Sequence, residues 1–132
     1  MNKEKLNCLI EEITNEPQSQ INISHDDVST LFHTDAEIHS LDASVSASAN
    51  SRMKQLMEQV RKNVTVNGDD IHLLFYLFFP ENLPLMMNEL FLFTKWIDTI
   101  PSRYTIKWGL AKHNQQELRT VILWQSAYEN II

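Results

Sequence analysis

Only two of the 132 residues are glycine, and no glycine-rich phosphate loop is present. Cysteine is also scarce. Cys8 stands alone, which excludes an internal disulfide and fits a reducing compartment. It reads as a buried or half-buried helix residue. Basic residues are outnumbered, with eleven Lys and Arg against seventeen Asp and Glu, for a net charge of -6. That balance argues against binding a phosphate backbone. Arg52, Arg61, Lys62, Arg103, Lys107, Lys112 and Arg119 are scattered and make no basic stripe. Long hydrophobic runs are missing as well. The most apolar segment, Ile71–Pro80, is about half of what a membrane helix needs, and the N-terminal stretch has no uninterrupted apolar core of a signal peptide. A cytoplasmic, soluble protein with no membrane contact is the expectation.

What is present suffices for one domain with a real core, because the apolar fraction is 43%. Leu6, Leu9, Ile10 and Ile13 share one face of a helix over 3–14, which Pro17 stops. A strand is expected over 36–46. Met53, Leu56, Met57 and Val60 then follow an i, i+3, i+4, i+7 stripe in a helix ending near Asn63. Asn67-Gly68 marks a turn. Ile71–Phe79 reads as a central strand ended by Pro80. A helix is expected from about Leu83 to Ile100, with Pro84 in its first turn. Two alternating segments, Tyr104–Leu110 and Leu118–Trp124, are joined by a polar link and read as an antiparallel hairpin. The fold class expected is α/β (α+β), a two-layer sandwich of about four strands and covering helices.

Few constellations suggest chemistry. Ser44, Ser46, Ser48 and Ser51 crowd together without a G-x-S-x-G elbow. His25, His33 and His39 match neither an i, i+4 pair nor a zinc-finger spacing, so no metal and no cofactor are expected. Trp96, Trp108 and Trp124 recur as core residues would, although an exposed one would suit anchoring a partner. The concentrated stretch is "QINISHDDVSTLF", which puts Asn22, Ser24, His25, Asp26 and Asp27 just before an apolar turn. Asp26 or Asp27 suits the N-cap of a short helix running to Phe32, where a carboxylate also meets the positive end of the dipole. A docking role for the same residues stays open beside capping.

Taken in order, several stretches resemble the C-terminal half of the tubulin/FtsZ family, closer to its bacterial FtsZ branch. Asn22, Asp27 and Val28 match a family motif N-x-D-F-x-D-V. Ala47-Ser48-Ala49-Asn50-Ser51-Arg52-Met53 keeps the Ala, Ser and Arg of A-S-G-x-x-R-A, and Gly109, Arg119 and Val121 match the final strand pair. Ser24 replaces the motif's first Asp and His25 its Phe, and the nucleotide-binding half is missing. The resemblance implies a single domain over 1–132, with 1–20 a remnant of the central helix and its loop and 21–132 the C-terminal-like sandwich. It implies a non-enzymatic assembly or interaction module connected with cell division, which binds no nucleotide alone. Such a module docks on or caps a GTP-bearing FtsZ-like filament through Asn22–Asp27. Ser24 offers no base, because an unactivated hydroxyl stays protonated at neutral pH, so with Asp27 left to orient a water and Asp26 beside it, a docked loop is expected to support hydrolysis poorly. The alternative is a self-associating structural domain with no link to GTP, pairing as a homodimer through Leu6, Leu9, Ile10 and Ile13.

Overall fold

The computed structural model describes residues 3–14, 19–21, 28, 38–64, 71–100 and 105–126. Among them are three helices, α1 (Lys3–Thr14), α2 (Arg52–Asn63) and α3 (Met87–Asp98). Five strands accompany them: β1 (Ser19–Ile21), β2 (His39–Ser46), β3 (Ile71–Pro80), β4 (Thr105–His113) and β5 (Glu117–Ser126). The strands form one mixed sheet in the order β1-β4-β3-β5-β2. Four are long, and β1 adds a three-residue edge whose register against β4 is irregular. The protein is a mixed α+β fold.

β3 is central, as its unbroken apolar run requires. Leu73, Phe75, Leu77 and Phe79 enter a core with α2 and α3, whereas Leu74, Tyr76 and Phe78 enter a second core on the opposite face. A strand buried on both faces has no reason to alternate. The expected hairpin does not form, because β3 lies between its two strands, parallel to β4 and antiparallel to β5. The link Asn114–Gln116 crosses the end of β3, where Pro80 pairs with His113. Proline has no N–H to extend the ladder there. Placing the most apolar strand inside covers both its edges, which a hairpin of its two neighbours would have left to one side. The parallel β3–β4 pair then needs a crossover, and α3 lies on it.

The second core also changes the layering. Leu9 and Ile13 of α1, with Val28, close the face opposite α2 and α3, so the sheet is covered on both sides rather than in two layers. The stripe expected to pair between copies is thus already covered at Leu9 (5% exposed) and Ile13 (1%). Ile10 beside them is half-buried. Cys8 is exposed on this helix, not buried as its residue type suggested. The α2 stripe is as read, with Met53, Leu56, Met57 and Val60 each at 1% exposure or less. Burying four such side chains contributes roughly 6–12 kcal/mol before chain entropy is set against it.

Small residues make room for large ones across β3 and β4. Tyr76 faces Gly109 and Phe78 faces Ala111, and both aromatics are sealed under α1's side of the sheet. Arg119 secures that side. It donates Nε to Asp42 Oδ1 at 2.8 Å and Nη2 to Asp42 Oδ2 at 2.9 Å, and both its terminal nitrogens reach the Glu12 carboxylate. Its guanidinium also lies 5.2 Å from the Phe78 ring centre. Hydrogen bonding to Asp42 raises its pKa most, burial opposes this, and Glu12 adds to the rise. One side chain therefore ties α1, β2 and β5 together.

Candidate functional site

The β2–α2 turn and the start of α3 build a cleft. After Ser46 the chain turns through Ala47–Asn50, closed by the Ala49 N–H donating to Ser46 O at 3.1 Å. Ser51 then takes a left-handed conformation, φ 55° and ψ 42°, which is costly for a residue with a Cβ. The next residue, Arg52, is buried. It donates Nε to Glu89 Oε2 at 2.6 Å and Nη2 to Glu89 Oε1 at 2.9 Å. Nη2 also reaches Pro84 O at 2.9 Å, and Nη1 reaches Ala47 O at 3.2 Å. The fork thus fixes the end of β2, the loop before α3 and the first turn of α3 at once.

The same loop explains why α3 starts later than its apolar pattern suggests. The Leu83 N–H turns back to Pro80 O at 3.2 Å, and the Pro84 carbonyl is taken by Arg52. Met86 is the N-cap, and its N–H donates to Glu89 Oε1 at 2.9 Å as one half of a capping box. Pro84 therefore sits in the approach to the helix instead of its first turn. Burial pushes the Glu89 pKa up, but hydrogen bonds from Arg52 and the Met86 N–H, with the charge of Arg52, outweigh it and hold the carboxyl below its ordinary range. Hydrogen bonding to Glu89 raises the Arg52 pKa, against burial.

Around this pair lies a cleft of about 480 Å³. Its walls are mainly apolar, from Met53, Leu83, Met86 and Leu92, with Ser51, Lys54 and Asn88 at the rim. Arg52 and Glu89 are engaged by one another, by the Pro84 and Ala47 carbonyls and by the Met86 N–H. Among the described residues no group of three His, Cys, Asp or Glu could hold a metal ion, and no helix is long and apolar enough to cross a membrane. Beside the cleft, α3 turns large apolar side chains to solvent: Met86 is 59% exposed, Met87 82% and Phe91 64%. Phe93 and Trp96 occupy its buried side.

Asn22, Ser24, His25, Asp26 and Asp27 lie outside the described residues, as does the short helix to Phe32 apart from Val28. Val28 is helical and buried in the second core. His39, the described member of the histidine trio, stacks on Trp124 at 5.5 Å. Trp96 and Trp124 are core residues, whereas Trp108 is 40% exposed beside Phe93. The Arg52–Glu89 pair escaped sequence reasoning, although Glu89 stands three residues after the true N-cap. The signal for the exposed patch was an α3 too apolar for one buried stripe.

No protein-family model matches this chain, and no curated protein matches it at a significant level.

Proposed function

We propose that this chain is a non-enzymatic interaction module whose contact surface includes the Met86–Phe91 face of α3. The observation carrying the reading is the exposure of Met86, Met87 and Phe91 together, next to a cleft whose Arg52–Glu89 ion pair is internally spent. Flexible methionines and an aromatic ring at that density suit a protein surface that packs against another. The specific form of the proposal follows the resemblance: docking on a GTP-bearing FtsZ-like filament, with Asn22, Ser24, His25, Asp26 and Asp27 facing the partner's nucleotide. The order helix, strand, strand, helix, strand, helix, strand, strand supports it apart from the added short β1, as does the Arg of the Ala-Ser-x-x-x-Arg stretch serving as a structural fork. The missing β4–β5 hairpin removes one part of that support.

Mixing the protein with purified bacterial FtsZ and GTP, then measuring pelleted polymer and GTP turnover, tests the specific form. Co-pelleting, or altered polymer mass at an equimolar ratio, is the expected result. Unchanged polymer and turnover, with the chain left in the supernatant, overturns docking on FtsZ.

A further inference from the structure

β2 is the outer strand of the sheet among the described residues. Its inner partner is β5, in unbroken register from His39↔Trp124 to Ser46↔Glu117. The next pair outward is Ala47 with Gln116, and the Ala47 N–H donates to Gln116 O at 3.2 Å. In an antiparallel ladder, paired residues alternate between exchanging hydrogen bonds and not. The odd-numbered residues of β2 therefore bond to β5, and the N–H and C=O of Asp42, Ser44 and Ser46 point away from the sheet. Gln59 bears this out, reaching Ser44 O from α2 at 3.5 Å, a long and exposed contact.

Natural edge strands are guarded by proline, bulges, charge or brevity. β2 has eight residues, no proline and no bulge. Its single carboxylate, Asp42, is held by Arg119 of its own sheet. The side chains flanking the exposed backbone are serines, too small to block an approaching strand. Leu41 and Val45, on the core side, are only half-buried and leave an apolar margin.

We infer that β2 is a self-pairing edge, joining a second copy of this chain antiparallel about a two-fold axis at Ser44. This register sets Ser44 against its own copy and Asp42 against Ser46, so no like charges face each other. The Ser46 carbonyl is already taken by the Ala49 N–H, so the three facing pairs give about four backbone hydrogen bonds across the axis. Leu41 and Val45 of both copies then continue one apolar surface. The opposite edge does not compete, because β1 has three residues and an irregular register. A closed dimer follows rather than an open filament.

Light scattering after size exclusion, run on the full chain from low to high micromolar concentration, reads the association directly. The expected result is a mass rising from 15.4 kDa to twice that value. Ser44→Pro removes an outward N–H while sparing the β2–β5 ladder, and Ser44→Lys sets two charges face to face on the axis. Each should weaken dimerisation roughly tenfold or more at unchanged helix and strand content. Ser44→Lys alone decides if the proline variant misfolds. A monomer at every concentration, or a dimer indifferent to Ser44→Lys, overturns the inference. Neither outcome bears on binding through α3, which the polymer assay reads separately.

Discussion

Replacing Glu89 with Ala leaves the Arg52 guanidinium in place with its charge uncompensated. The Arg52 side chain is 8% exposed and Glu89 12%, so little water can take over the lost contacts. Breaking a buried pair from one side costs about 3–5 kcal/mol, and the N-cap loses its reciprocal bond as well. Against a total stability of roughly 5–15 kcal/mol, the variant should lose about a fifth or more of it. For a chain of this size that is a fall in Tm on the order of 10–20 °C. Urea unfolding followed by the fluorescence of the buried Trp96 and Trp124 measures the change. The double variant Arg52→Met/Glu89→Leu removes both charges at similar volume and should recover most of the loss. A single-variant cost under about 1 kcal/mol, or a double variant no better than the single, refutes the claim that this ion pair locks the β2–α2–α3 junction.

Other outcomes follow from the same contacts. Because the folded Glu89 pKa lies below its ordinary value near 4.5, the stability it contributes is present above that value and lost as pH falls through the folded one. Acid titration of the wild type should therefore show a loss of stability that Glu89→Ala lacks. Arg119→Ala should cost about 1–2 kcal/mol, since its partners are partly exposed, and should speed amide exchange in α1 selectively. Ser51→Gly should raise stability by about 0.5–1 kcal/mol in thermal melts by relieving the left-handed backbone. Gly109→Val should lower it by about 1–3 kcal/mol, because the new side chain enters the space facing Tyr76.

Much of the fold was legible because periodicity reports burial. The α2 stripe and the continuous run of β3 each announced where water is excluded, and α1 was bounded by its own pattern and Pro17. Pairing was harder to see. A polar link between Leu110 and Leu118 fits a hairpin, yet the same length crosses the end of β3, and only the demand of β3 for two flanking strands decides between them. The start of α3 was misplaced for a related reason. Pro84 is locally acceptable in a first turn, but its carbonyl is claimed by Arg52, thirty-two positions earlier. Long-range ion pairs leave no periodic trace, so Arg52–Glu89 and Arg119–Asp42 were invisible as pairs. Glu12 of α1, far from Arg119 in the chain, is likewise its partner.

The claim that α3 presents a working contact surface is tested most directly by titrating a Met87→Asp/Phe91→Asp variant against whichever filament or partner retains the wild-type chain. Both residues are exposed, so the melting curve should stay within a degree or two of wild type while affinity drops roughly a hundredfold. Undiminished binding by a variant that melts normally would contradict it.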